Sequence, residues 1–203
     1  FPTFDRVALT MTAELCDCYE TKAEGVLDVL DAMLDAAIGH KVGVWSVKGR
    51  LETVEAIRSR PELAAASNWV ALAEVAARLV PAGPSLLIDI GSTTSDLIPL
   101  ADGKARALGT TDTERLQSGE LVYVGIRRTP IASLATELPF RGRATGLAAE
   151  LFATTLDVYL TLGAIDPDPA DFSTADGRPA IPEAARHRLA RMVGADRAGF
   201  SAQ

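Results

Sequence analysis

Along this chain, short continuous apolar runs alternate with stretches in which apolar residues recur every three or four positions, the pattern of strands interleaved with amphipathic helices. Val7, Ala8, Leu9, Thr10 and Met11 form a run suited to a strand buried on both faces, spanning 6–12. Val26, Leu27, Leu30, Met33, Leu34, Ala37 and Ile38 then fall on one helical face, Asp28, Asp31 and Asp35 on the other, and Gly39 ends the pattern. Residues 41–47 alternate and read as the next strand, with Lys48-Gly49-Arg50 as its turn. Strand, helix, strand implies a right-handed parallel crossover. Residues 56–80 read as helical apart from Pro61.

Pro81-Ala82-Gly83-Pro84 is the clearest break and divides the chain into 1–82 and 83–203. Beyond it, 86–100 reads as strand, turn, strand. The Asp102-Gly103 turn and a third strand over 104–108 follow, so three antiparallel strands open the second half. An apolar run over 121–126 is strand-like. Residues 147–162 and 182–193 read as amphipathic helices, the latter starting on Pro182 as first turns favour.

The turn in 86–100 is the chemically richest segment. Gly91 permits a tight bend and close approach of an anion, while successive N–H groups and the hydroxyls of Ser92, Thr93, Thr94 and Ser95 can donate to phosphate oxygens. Asp89, at the carboxyl end of the first strand, is placed to hold magnesium or orient a nucleophile. Asp96 has two readings of equal weight, a magnesium ligand or a residue that ties the turn. A serine- and threonine-rich hairpin with no ligand is the plainer alternative for the whole segment.

Composition narrows the class. The 203 residues are 48% hydrophobic, enough for a proper core, and no apolar run approaches the ~20 residues a bilayer span needs. A net charge of −7 without a Lys/Arg block argues against nucleic acid and anionic membrane as partners. The opening residues lack the features of a secretory signal, so the cytoplasm is the expected location. The start on Phe1-Pro2, leading almost at once into a strand, suggests a piece of a longer polypeptide. Cys16 and Cys18 are too few for a disulfide framework or a zinc site and are expected to pack as small buried residues.

The spacing Asp89-x-Gly91-x-Thr93-Thr94-x-Asp96 resembles the second phosphate motif of the actin, sugar-kinase and heat-shock chaperone superfamily. Further blocks narrow the likeness: Thr10-Met11-Thr12-Ala13-Glu14-Leu15, Ser67-Asn68-Trp69, Thr111-Asp112-Thr113-Glu114-Arg115-Leu116, the stretch 119–125, Arg128-Thr129-Pro130-Ile131 and Thr174-Ala175-Asp176-Gly177-Arg178. Together they resemble the hydantoinase/oxoprolinase-like proteins linked to tetrahydromethanopterin and methanofuran one-carbon metabolism. The resemblance implies an α/β, actin-like (ribonuclease H-like) bilobed fold. Residues 1–82 then represent the remainder of a first lobe and 83–203 a second. The Asp-x-Gly-Gly turn that usually opens this branch and the segment that usually closes its cleft have no counterpart here, so the fold is expected to be incomplete at both ends.

The resemblance also implies a reaction: a furanylmethyl diphosphate joined to the phenol of glutamyl-tyramine, with an aryl ether formed and pyrophosphate released. Such chemistry calls for prepositioned donors on the leaving group, supplied by Gly91, Ser92, Thr93, Thr94 and the forked guanidinium of Arg128, which is preferred over Arg127. Magnesium is the implied cofactor, on Asp89 and Asp96. The phenol needs a base. Glu14, after a strand's carboxyl end, is the first candidate, against a plain helix-start role; Glu120, Asp112 and Glu114 come second. The small-molecule partners are then a diphosphate and a phenolic amine, with the oligomeric state open. Two other functions fit the same cradle: an ATP-dependent hydrolase of cyclic amides and a nucleotide-binding module without turnover.

Overall fold

In the computed structural model, residues 4–80 and 82–196 are described. Phe1-Pro2, Pro81 of the expected boundary and the chain end at Gln203 lie outside them. The fold is mixed α/β, with three small sheets and six α-helices among the described residues. Contacts divide the chain into two compact units: Phe1–Ile88 with Asp96–Leu121, and Asp89–Ser95 with Val122–Gln203.

The first unit opens with the expected crossover. Strand β1 (Arg6–Leu9) pairs in parallel with β2 (Lys41–Trp45), Leu9 opposite Val44, and α1 (Lys22–Ala36) connects them. Thr21 caps α1 by accepting the Glu24 N–H at 3.1 Å. A short antiparallel strand, β3 (Leu51–Glu52), follows the Lys48-Gly49-Arg50 turn. The core between these elements holds Leu9, Met11, Val26, Leu30, Val44 and Ile57.

The long helix expected over 56–80 is instead two helices, α2 (Val54–Ser59) and α3 (Asn68–Leu79), separated by a 3₁₀ turn at Pro61–Leu63. Pro61 ends the first because it disfavours helical backbone at Arg60, whose φ of −146° and ψ of 73° lie outside the helical region. Helix α3 lays Trp69, Val70, Ala73 and Ala77 against Ile98 and Leu100. Those two belong to the three-strand run: β4 (Pro84–Ile90), β5 (Ser95–Ala101) and β6 (Lys104–Ala105), with β7 (Leu121–Val122) also pairing with β5. Leu87 joins the α3 core, whereas Leu86, Ile88 and Ile90 are each more than half exposed.

The division between these compact units falls inside the β4–β5 hairpin. Ile98 and Leu100 are buried under α3, which ties most of the hairpin to the first unit, while its tip, Asp89–Ser95, groups with the second. A further helix, α4 (Asp112–Ser118), has no counterpart among the expected elements. A capping box starts it: Thr111 Oγ1 accepts the Glu114 N–H, and Glu114 Oε2 accepts the Thr111 N–H at 3.0 Å.

In the second unit only Thr155–Leu162 (α5) of the expected 147–162 helix is helical. Asp157, at the third helical position, accepts the Thr154 N–H at 2.9 Å in a second capping box, which fixes the start there. Residues 147–154 are irregular, and ahead of them lies a hairpin of β8 (Glu137–Phe140) and β9 (Arg143–Gly146), with no counterpart in the sequence reading. Helix α6 (Pro182–Arg191) packs on α5 around Leu156, Leu160, Ala180 and Ala185. Between the helices Arg188 is fully buried, its Nε donating to Asp157 at 2.7 Å and its Nη1 to Asp176 at 2.9 Å.

Candidate functional site

Within the second unit, the turn at the tip of the β4–β5 hairpin is closed by the Gly91 N–H donating to the Thr94 carbonyl at 2.8 Å. The outward carbonyls are taken up by a second segment. Gly91 O accepts the Ile126 N–H at 3.0 Å, and Ser92 O accepts from Arg127 and Arg128 at 3.0 and 2.9 Å. Ser95 Oγ donates to Val124 O at 2.6 Å. No described hydrogen bond uses the N–H of Ser92 or Thr93, so the turn keeps these donors available while the carbonyls of Gly91, Ser92 and Thr94 are satisfied.

Gly125 sets the approach of the two segments. A Cβ there would stand 2.6 Å from the Ser92 carbonyl carbon and the Thr93 nitrogen, closer than real Cβ contacts come. The residue cannot retreat, because its N–H donates to Thr129 Oγ1 at 2.8 Å and its carbonyl accepts from Thr155 Oγ1 at 2.7 Å. The absence of a side chain at Gly125 is therefore what lets 125–129 buttress the turn.

The two arginines differ. Arg127 is paired with Asp171, whereas the exposed Arg128 side chain makes no described hydrogen bond or ion pair. Backbone N–H donation by Ser173 and the Arg127 guanidinium hold the Asp171 carboxyl below its ordinary range against a smaller effect of burial. The second unit thus brings together Asp89, Gly91, Ser92, Thr93, Thr94 and Arg128. Asp89 is exposed and has no described partner.

Asp96 belongs to the first unit and is engaged. Arg115 Nη1 lies 2.8 Å from its Oδ1, Arg115 Nη2 donates to Glu120 O at 3.1 Å, and the guanidinium carbon sits 4.0 Å above the Trp69 ring. Arg115 is 1% exposed, so it is one of the largest buried side chains and carries its charge on these three contacts. The family-like blocks at 67–69 and 111–116 thus meet through a structural cation.

Glu14, also in the first unit, is 2% exposed. It sits in a 3₁₀ turn at Ala13–Leu15 pressed against α1, where a Cβ on Gly25 would lie 2.7 Å from Glu14 Cα. Its Oε1 accepts the Ala66 N–H at 2.8 Å and its Oε2 has no partner. Glu14 does not cap α1, which Thr21 does, so the helix-start alternative does not describe its contacts.

The secondary base candidates have structural partners. Glu120 accepts from the N–H groups of Leu108 and Gly109 at 2.7 and 2.9 Å and from Ser118 Oγ at 2.9 Å. Burial pushes its carboxyl up, but these donors and the Arg115 charge hold it below the ordinary value. Glu114 is lowered to about 2, first by the Thr110 and Thr111 N–H groups. Asp112 pairs with Lys22 Nζ at 2.7 Å. Asp176, in the Thr174–Arg178 block, is pushed up by burial and more than offset by the Arg178 N–H and Arg188, so that loop is an anchor for the buried arginine. Cys16 and Cys18 are free but exposed, a correction to the expected burial: they lie on the loop outside the β1–α1 core. Among the described residues no group of three or more His, Cys, Asp and Glu side chains is placed to hold a metal, and no helix is long and apolar enough to cross a membrane.

A (4-{4-[2-(gamma-L-glutamylamino)ethyl]phenoxymethyl}furan-2-yl)methanamine synthase of Methanocaldococcus jannaschii is 42% identical over 193 residues, 95% of this chain and 58% of its own length. One of the same name from Methanococcus vannielii is 40% identical over 111 residues, 55% of this chain and 50% of its own. The chain therefore spans somewhat over half the length of these curated relatives. The model of the hydantoinase/oxoprolinase family matches residues 5–200. On that match and this degree of identity, the chain belongs to the hydantoinase/oxoprolinase family.

Proposed function

We propose that this chain is part of a transferase of methanofuran biosynthesis, with an actin-like fold, that joins a furanylmethyl diphosphate to the phenol of glutamyl-tyramine. The phenolic oxygen attacks the furanyl methylene carbon, the carbon–oxygen bond to the diphosphate breaks, pyrophosphate leaves and the phenolic proton passes to a base. The observation that carries this reading is 42% identity across nearly the whole chain to a synthase whose printed name describes a phenoxymethyl-furan product.

The turn geometry supports it. Free N–H groups at Ser92 and Thr93, the neighbouring hydroxyls and the unengaged Arg128 form a donor set for an anionic leaving group, preorganised by the Gly125 buttress. Magnesium is compatible with these residues, since this ion is typically held by one or two carboxylates, waters and substrate phosphates. Asp89 is the carboxylate we assign to it, Asp96 being held by Arg115. When bound, the ion neutralises charge on the diphosphate. Glu14 is retained as the base candidate, its buried carboxylate having one oxygen without a partner.

The test is a pyrophosphate-release assay with the furanylmethyl diphosphate and glutamyl-tyramine. Release that requires both substrates and falls on Glu14→Gln and Arg128→Gln supports the proposal. Hydrolysis of ATP stimulated by a cyclic amide, with no release from the diphosphate, replaces it by the hydrolase reading.

A further inference from the structure

The hairpin β8–β9 is a two-stranded sheet of the second unit, with no third strand on either side among the described residues. Two strands alone are only marginally stable in water, and an open edge is a template to which a further strand can add. The turn decides which edge is open. Arg141 and Gly142 have φ of 52° and 76°, the two-residue turn that joins strands through a hydrogen-bonded pair, here Phe140 and Arg143. Bonded and non-bonded pairs alternate along an antiparallel ladder, so the next pair, Pro139 and Ala144, turns its backbone groups outward. The Leu147 N–H donates to Thr136 O at 2.9 Å, in step with that alternation. On the β8 side the outward position is a proline, which has no N–H to offer and blunts the edge. On the β9 side it is the exposed Ala144, and Gly146 repeats the arrangement two residues on.

Side chains alternate about this edge. Arg143 and Thr145 share one face with Leu138 and Phe140, while Ala144 and Gly146 share the other with Pro139 and Glu137. A Cβ on Gly146 would meet nothing within 4 Å, so the second face leaves room for larger side chains of an added strand. A groove of about 350 Å³ runs along the hairpin, lined by residues 137–139 and 142–144. The first face is cationic. Arg143 is exposed and makes no described ion pair, and the hairpin's single carboxylate, Glu137, lies on the other face. In a chain of net charge −7 this is a local patch of opposite sign. A second copy pairing Ala144 with Ala144 would set the two Arg143 side chains on a diagonal of ~7–8 Å, like charge against like. Charge therefore favours an acidic strand over a second copy.

We infer that the β9 edge binds an extended peptide segment of alternating acidic and aliphatic residues as a third strand. Its main chain bonds to Ala144 and Gly146, a carboxylate meets Arg143, and its aliphatic side chains lie over Ala144 and Gly146.

The probe is a blocked synthetic peptide of three valine-glutamate repeats, set against its valine-lysine counterpart, in isothermal titration of the chain. We expect saturable binding of the glutamate peptide and binding of the lysine peptide weaker by about fivefold or more. Arg143→Glu reverses that order, and Ala144→Pro, which removes the outward N–H, loses about tenfold. Amide hydrogen exchange at Ala144 and Gly146 slows when the glutamate peptide is added, a readout that needs no substitution. No saturable binding, equal affinity for the two peptides, an unchanged preference in Arg143→Glu, or no added protection at Ala144 and Gly146 overturns the inference. A dimeric chain in which those amides are already protected without peptide also overturns it, by giving the edge to a second copy.

Discussion

Replacing Gly125 by alanine isolates what the buttress does. The new methyl would fall 2.6 Å from the Ser92 carbonyl carbon, 2.6 Å from the Thr93 nitrogen and 2.7 Å from Gly91 O, all backbone atoms that no rotamer change can move. Because Thr129 and Thr155 pin Gly125 from behind, the strain goes into the turn itself. Overpacking of this kind costs typically 1–3 kcal/mol, and a rigid backbone contact belongs near the top, about 2–3 kcal/mol. For a chain of this size that corresponds to a fall in Tm of roughly 4–12 °C. Gly146→Ala is the control, since a Cβ there meets nothing within 4 Å. Scanning calorimetry should show the fall in Gly125→Ala and less than about 2 °C in Gly146→Ala. A pyrophosphate titration of Gly125→Ala should show weakened binding even at temperatures where it is folded. If Gly125→Ala matched the wild-type protein in both measurements, the buttress argument would be refuted.

Three further outcomes follow from the charged groups. Arg115→Met strands Asp96 without its cation and removes the guanidinium from Trp69, so urea titration should show a loss of about 3–5 kcal/mol. Asp96→Asn should likewise lower stability while leaving affinity for magnesium pyrophosphate within about twofold, and Asp89→Asn should do the reverse; equal loss of affinity in the two would return Asp96 to the metal site. Glu120 titrates below its unfolded value of about 4.3, so the stability it contributes is full above that pH and lost as pH falls through the folded value. Urea midpoints followed from about pH 6 to about pH 3 should therefore fall less steeply in Glu120→Gln than in the wild-type protein, and equal slopes would contradict the assignment.

The periodic segments were legible because their signals are local. The apolar stripe from Val26 to Leu34 placed α1, and the run before Lys48 placed β2. Where tertiary packing or capping decides, pattern alone misled. The apolar spacing of 147–162 continues a helical rhythm across Thr154, but the capping box with Asp157 starts the helix only there. The Thr-x-x-Glu signature at Thr111 and Glu114 is present in the sequence and marks the start of α4, an element the periodicity alone did not place. Of the site, Gly91 to Ser95 announced themselves by composition. Gly125 did not, because its requirement is a contact with a residue 33 positions away and shows only when the Ser92 backbone is seen beside it. The different fates of Arg127 and Arg128 were also invisible locally, since Asp171 is supplied from a distant loop.

The central claim is that the hairpin tip with Arg128 grips a diphosphate. Isothermal titration of the chain with magnesium pyrophosphate addresses it most directly, in the wild-type protein and in Thr93→Ala, Arg127→Gln and Arg128→Gln. The account predicts saturable binding, weakened about tenfold or more in Thr93→Ala and Arg128→Gln and within about twofold in Arg127→Gln, whose charge is already committed to Asp171. No saturable heat in the wild-type protein, or equal losses at the two arginines, would contradict it.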